Sequence, residues 1–287
     1  MGAITRVGVA GLGTMGAGIA QVLLEGGFEV VGRDVDDQAL ERARARIEAG
    51  LARRVEKGLL GESARVAALA RLTLARELSA LAGSQLVIEA IVEELDAKRE
   101  LFAALDGVCA ADAVLATNTS AISVSAIAQA SNRPERCLGL HFFNPAPLMP
   151  LVEVVRAERT ADGPYAAAAA LVEACGKQAV RCSDTPGFVV NRLLIPALND
   201  AVRALDETGV SPAEIDVAMT AGAGWPMGPF RLLDLIGIDV HVHAASALHR
   251  ALPEPRMAPP PRLVRMRDAG RLGRKAGRGF YDYDAAP

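Results

Sequence analysis

The run Arg6-Val-Gly-Val-Ala10 leads straight into Gly11-Leu-Gly13-Thr14-Met15-Gly16 and then an alanine-rich stretch, which leaves little freedom in how the first half of the chain folds. A β-branched run ending in glycines at this spacing predicts a strand, a tight turn and a helix packed back on the strand, the opening of a parallel βαβ unit. The three glycines serve different mechanical ends, since one turns the chain, one leaves room for a diphosphate, and one lets helix and strand approach closely. Asp34 closes the next strand, where a carboxylate suits ribose hydroxyls and repels a 2′-phosphate. That favours NAD over NADP, although Arg33 beside it is a group able to turn toward a phosphate.

Up to about Cys182, short β-branched runs alternate with longer helical patterns, which predicts a mainly parallel sheet covered by helices. The candidate strands are Arg6–Ala10, Glu29–Gly32, Leu86–Ala90, Val114–Ala116, Cys137–Leu140, Leu151–Val155 and Ala179–Arg181. Asp37 to Lys57 reads as a charged, solvated surface helix. After Asp184-Thr-Pro-Gly187 the β pattern ends, and Phe188–Thr208, Ala213–Ala221, Phe230–His249 and Pro261–Ala269 read as helices between Gly and Pro breakers. The expected architecture is α/β: a Rossmann-type domain over residues 1–183, then a smaller all-α domain over residues 184–287. The prolines from Pro253 to Pro261 predict an exposed connection, because proline removes a backbone donor and clashes with the preceding helical turn.

With 31 basic and 34 acidic residues, the net charge of −3 gives no electrostatic reason to expect a nucleic acid or a membrane as partner. No apolar run is long enough to span a bilayer, and the first strand begins too near Met1 for a targeting peptide, so a cytoplasmic protein is expected. Cys109, Cys137, Cys175 and Cys182 lack the paired spacings of a zinc site and read as reduced thiols. His241 and His243 are two apart on a predicted helix, so they diverge; no metal is expected.

His141 opens His-Phe-Phe-Asn-Pro, and Glu153 follows within Leu-Val-Glu-Val-Val. An imidazole titrates near neutral pH, and a carboxylate bonded to it fixes its tautomer and stabilises the imidazolium formed on taking a proton. Such a pair suits proton abstraction, and the glycine-rich turn suits a hydride acceptor. Together they read as a dehydrogenase.

In order and over nearly the whole length, the chain resembles the L-3-hydroxyacyl-CoA dehydrogenase family. The resemblance rests on Gly-Leu-Gly-Thr-Met-Gly, Ile88-Glu-Ala-Ile-Val-Glu93, Asn118-Thr-Ser120, His141-Phe-Phe-Asn-Pro145, Pro186-Gly-Phe-Val-Val-Asn-Arg192, Gly224-Trp-Pro-Met-Gly-Pro-Phe230 and Gly273-Arg-Lys-Ala-Gly-Arg-Gly-Phe-Tyr281. It implies NAD-dependent oxidation of a short-chain 3-hydroxyacyl-CoA and the reverse reduction, in fatty acid metabolism such as β-oxidation. His141 is the implied general base and acid, braced by Glu153. Ser120 would bond the substrate oxygen, and Asn191 would help fix the thioester. Gly11, Gly13, Thr14, Met15, Gly16 and Asp34 would hold NAD. Glu93, Lys98 and Ser120 would line its nicotinamide side, Asn144 would touch cofactor and thioester, and Lys275 would reach the cofactor from the C-terminal tail.

For the CoA handle, Lys57 matches the family lysine, whereas Gly50 stands where the family has a serine. By spacing alone, Lys98 and Lys275 read as ordinary surface ammonium groups. Two other readings share the scaffold: a gulonate-type sugar-acid dehydrogenase and a non-catalytic dinucleotide-binding protein. Apolar stretches such as Phe188-Val-Val, Leu193-Leu-Ile195 and Leu232-Leu-Asp-Leu-Ile236 predict a homodimer through the helical domain, as the resemblance also implies.

Overall fold

The computed structural model describes residues 4–283, and the chain divides into two compact units, up to Thr185 and from Pro186. The first unit is an eight-stranded sheet: β1 (Arg6–Ala10), β2 (Glu29–Arg33), β3 (Leu72–Ala75), β4 (Leu86–Glu89), β5 (Val114–Thr117), β6 (Cys137–Phe142), β7 (Leu151–Arg156) and β8 (Gln178–Ser183). Their spatial order is β3-β2-β1-β4-β5-β6-β7-β8. All neighbours run parallel except β6 and β7, which pair antiparallel. The first six strands therefore follow the doubly wound order, with its crossover between β1 and β4, where such sheets open a crevice at the carboxyl ends.

Six helices connect these strands: α1 (Thr14–Glu25), α2 (Asp37–Glu56), α3 (Glu62–Ala70), α4 (Leu95–Val108), α5 (Val124–Ala128) and α6 (Asp162–Ala174). Strand residues alternate between two layers, because successive side chains of a strand point to opposite faces. Val7, Val9 and Ile88 pack with Ile19 and Leu23 of α1 and Ile47 and Leu51 of α2. Val87 and Leu115 pack on the other side with Leu101, Phe102 and Leu105 of α4. Burial on both faces is why these strands read as continuous apolar runs.

The strand β3 was not among the candidates. Leu72-Thr-Leu-Ala is four residues long and follows an alanine-rich helix, and at the sheet edge only Leu72 is buried, so it carries neither length nor alternation as a signal.

The second unit holds α7 (Val190–Thr208), α8 (Pro212–Val217), α9 (Pro229–Ile236), α10 (Ile238–Ala251) and α11 (Pro261–Asp268), with one π-helical turn at Ala218–Gly222. The single helix expected over Phe230–His249 is two helices. Gly237 adopts φ 100°, a conformation that no helix interior accepts, and breaks them apart. Leu198, Val202, Phe230, Leu233, Val242 and Leu263 form this unit's core.

Two buried carboxylates fasten the C-terminal segment to that core. Asp234 accepts from the amides of Phe280 and Tyr281 at 2.9 and 3.0 Å, and Asp216 accepts from the Tyr281 hydroxyl at 2.7 Å. His241 is also buried. Its Nε2 meets Oδ1 of Asn199 at 2.9 Å, while Nδ2 of Asn199 donates to the carbonyls of Arg256, Met257 and Ala258. An amide nitrogen committed to three carbonyls leaves its oxygen as acceptor, so the imidazole donates from Nε2. This network anchors the proline-rich connection, which is exposed at Pro253, Pro255 and Pro261 but buried at Met257 and Pro260. The expectation of a wholly exposed connection is corrected there.

The apolar stretches of this unit divide likewise. Ile195 and Leu233 are buried in its own interior and Phe188 is buried as well, whereas Leu193, Val217, Leu235 and Val240 are exposed.

Candidate active site

The site is assembled at the carboxyl ends of the parallel strands of the first unit. At β1, Gly11 takes φ 91°, and a Cβ there would sit 2.7 Å from the carbonyl oxygen of Ala90, so the turn admits glycine alone. A Cβ on Gly16 would collide with the carbonyl oxygen of Gly11, whereas nothing lies within 4 Å of the space above Gly13. Gly13 is the N-cap of α1, which has no side-chain cap and no acidic residue in its first turn. An uncapped helix start with open space before it suits a diphosphate, since its amide donors and the helix dipole both favour an anion. Thr14 and Met15 form that first turn, and Arg46 of α2 donates to the Thr14 hydroxyl at 3.2 Å.

Asp34 follows β2, and its Oδ2 accepts from the Leu12 amide at 2.7 Å, which fixes the carboxylate beside the glycine turn. The Arg33 side chain points elsewhere: its Nε donates to the carbonyl of Arg76 at 3.0 Å. These groups fit NAD.

At β6 and β7 the antiparallel register sets His141 directly opposite Glu153. The imidazole Nδ1 lies 2.7 Å from Oε2 of Glu153; Glu153 is fully buried and the histidine is 5% exposed. The ring also leans on Phe143, with centroids 4.4 Å apart. With Nδ1 engaged, proton exchange with a substrate passes through Nε2.

Beyond β5, the segment Asn118–Ser120 is tied down from both sides. Oδ1 of Asn118 accepts from the Phe142 amide at 2.9 Å, which links this loop to the histidine strand. Glu93 then gathers the loop: its Oε1 accepts from the Thr119 hydroxyl at 2.6 Å, the Ser120 amide at 2.9 Å, the Ser120 hydroxyl at 3.4 Å and the Ala121 amide at 3.3 Å. Burial pushes the Glu93 carboxyl up, but the Lys98 ammonium and these donors outweigh it and hold the group below its ordinary value.

Lys98 is not a surface ammonium, as spacing alone suggested. It is 1% exposed, and its Nζ lies 2.6 Å from Glu89 and 3.2 Å from Glu93. Glu89 is fully buried at the end of β4 and escaped the sequence reading, although it lies within the Ile88–Glu93 motif. A carboxylate in an apolar strand needs a buried cation, and Lys98 lies within reach along the chain; that was the available signal.

The remaining candidates are more peripheral. Asn144 is exposed and precedes a cis proline. Lys57 is exposed just past the end of α2. Gly50 faces α1, and a side chain there would start against the Gln21 amide, itself bonded to Glu25 at 2.8 Å. A serine hydroxyl at position 50 would thus begin at the helix contact. In the second unit, Asn191 is half-buried near the start of α7, and Lys275 is paired with Asp239 at 2.6 Å.

A doubly wound sheet with a glycine turn, a carboxylate fixed beside it and a carboxylate-braced histidine on one edge defines a nucleotide-dependent dehydrogenase. Residues 6–185 match the NAD binding domain of 3-hydroxyacyl-CoA dehydrogenase and residues 187–283 its C-terminal domain. The chain belongs to the 3-hydroxyacyl-CoA dehydrogenase family, and NAD is its cofactor. It is 47% identical to a 3-hydroxybutyryl-CoA dehydrogenase of Mycobacterium tuberculosis, over 98% of this chain and 99% of that protein. It is 45% identical to the 3-hydroxyadipyl-CoA dehydrogenase of Escherichia coli, over 98% of this chain and 60% of that longer protein. Its fold matches the crystal structure of (S)-3-hydroxybutyryl-CoA dehydrogenase from Ralstonia eutropha with a TM-score of 0.94 at 39% identity, covering 99% of this chain and all of that one. No described helix is long and apolar enough to cross a membrane.

Proposed function

We propose that this protein interconverts short-chain L-3-hydroxyacyl-CoA and 3-oxoacyl-CoA, with His141 and Glu153 as the proton-transfer pair. The buried 2.7 Å contact between Nδ1 of His141 and Glu153 carries this reading. In oxidation, Nε2 of His141 takes the proton of the C3 hydroxyl while C3 gives up its hydride and becomes a carbonyl carbon. NAD, when bound, supplies the hydride acceptor. Glu153 holds the imidazole in the tautomer whose Nε2 lone pair faces the substrate and stabilises the imidazolium that forms. In reduction the same proton returns to the carbonyl oxygen.

Ser120 donates to the substrate oxygen, where negative charge grows during reduction, and Asn191 bonds the thioester; neutral donors suit both places. Gly11, Gly13, Thr14, Met15 and Gly16 take the diphosphate and Asp34 the adenine ribose. Glu93, Asn144 and Lys275 complete the cofactor contacts, with Lys98 acting from behind Glu93. Lys57 meets a phosphate of CoA.

A cytoplasmic place in fatty acid metabolism, β-oxidation included, goes with this chemistry. The exposed Leu193, Val217, Leu235 and Val240 support a homodimer through the helical unit, expected to sediment at twice the chain mass. The discriminating assay compares acetoacetyl-CoA with NADH against free 3-hydroxy acids and sugar acids with NAD. Turnover of the thioester supports the reading, and turnover of the free acids alone overturns it in favour of a gulonate-type activity.

A further inference from the structure

The least accounted-for group near the site is the carboxylate of Glu89. It ends β4, in register with Ala10 of β1 on one side and Thr117 of β5 on the other, so it sits between the glycine turn and the Ser120 loop. Both of its oxygens are bonded within the protein. Oε1 accepts from the Ile91 amide at 2.7 Å and from Lys98 at 2.6 Å, and Oε2 accepts from the Thr117 hydroxyl at 2.6 Å. Thr117 in turn accepts from the Thr119 amide at 3.2 Å. The Lys98 ammonium bridges this carboxylate to that of Glu93, whose side chain is 32% exposed and which collects the donors of Thr119, Ser120 and Ala121.

A fully buried ion pair is a poor source of stability, because removing both charges from water offsets most of their attraction, and an apolar pair of similar volume does as well or better. What such a pair does supply is direction. Glu89 is fixed by β-sheet backbone, Lys98 by the first turns of α4, and Glu93 is drawn toward the fixed ammonium from the loop between them. Two routes then run from Glu89 to the same loop: one through Lys98 and Glu93, the other through Thr117.

The geometry points to Glu89 and Lys98 as positioning residues that hold Glu93 and, through it, the backbone of Thr119–Ala121 and the hydroxyl of Ser120. This rests on the proposed role of Ser120 toward the substrate oxygen only for its kinetic consequence; the placement of the loop stands apart from it. Lys98 therefore acts through a carboxylate, with its own ammonium enclosed.

The test uses the paired variant Glu89→Gln/Lys98→Met, which keeps an acceptor for the Ile91 amide, turns the Thr117 contact into one in which the amide of the new side chain donates to the Thr117 hydroxyl oxygen, keeps volume, and removes both buried charges. Amide hydrogen exchange of the full chain without cofactor is read at Ser120 and Ala121, with the melting temperature alongside. The expected result is exchange about tenfold faster at these two amides with amides elsewhere in the sheet unchanged. Steady-state rates with acetoacetyl-CoA should fall about tenfold, and adding Ser120→Ala should cost little more than Ser120→Ala alone, since residues acting through one group are non-additive. Unchanged exchange at Ser120 and Ala121, or losses that multiply, would overturn the proposal. If Ser120→Ala by itself leaves turnover intact, the substrate role of Ser120 fails, and the exchange measurement still decides the positioning role. Should the paired variant not fold, Glu89→Gln alone carries the same exchange readout, with a smaller change in the same direction.

Discussion

His141 and Glu153 face each other across the one antiparallel pairing in the sheet, and Nδ1 lies 2.7 Å from the carboxylate. Both partners are held by strand backbone, so the pair needs no loop closure to form. Such pre-organisation is what proton transfer in a transition state requires.

Removing the negative charge while keeping the shape should separate chemistry from binding. Glu153→Gln is expected to lower kcat about 10²-fold, because the imidazolium loses its counter-ion, while the dissociation constant for NADH changes by less than about threefold. Stopped-flow reduction and fluorescence titration check the two halves.

Cofactor choice is expected to follow from Asp34 and Arg33. The Asp34 carboxylate is pinned by the Leu12 amide and the Arg33 guanidinium is drawn to the carbonyl of Arg76. NADH should therefore exceed NADPH in kcat/KM by at least about tenfold, and Asp34→Ser should narrow that ratio. A ratio unchanged in the variant would count against Asp34 as the discriminator.

The sequence reveals much of this edge because its mechanical demands are local. The glycine turn, Asp34 and the His141–Glu153 spacing each depend on a few consecutive residues. Glu89 and Lys98 were harder to read: their roles arise from burial, which spacing does not report, and an isolated lysine on a helix is usually solvated. Edge strand β3 was missed for a related reason, since a four-residue strand with one buried side chain gives no period. The break at Gly237 shows the limit in helices, where one glycine inside a long apolar pattern is ambiguous until its φ is known.

The helical unit should have an acid limit set by His241. Burial lowers its pKa from 6.5 to about 4 in the folded protein, so the unfolded chain binds the proton first. Stability is full above pH 6.5, falls as the pH drops from there toward about 4, and the loss amounts to about 3 kcal/mol. Urea unfolding across this range should show that slope, and His241→Gln should flatten it.

The thiols should be unreactive in the native state. Burial pushes Cys137 up to about 11 and Cys175 and Cys182 up to about 12, and raises Cys109 as well. At pH 8 the thiolate is a minor species at every site, so iodoacetamide should leave the native mass unchanged and add four groups after unfolding. Loss of activity on brief alkylation would instead reveal a reactive cysteine.

The most direct measurement is turnover of acetoacetyl-CoA with NADH by the variant His141→Asn, alongside its NADH affinity. The proton-transfer role predicts that kcat falls by about 10³-fold while the NADH dissociation constant stays within about threefold of the parent. A variant that reduces acetoacetyl-CoA at the parent rate would contradict it.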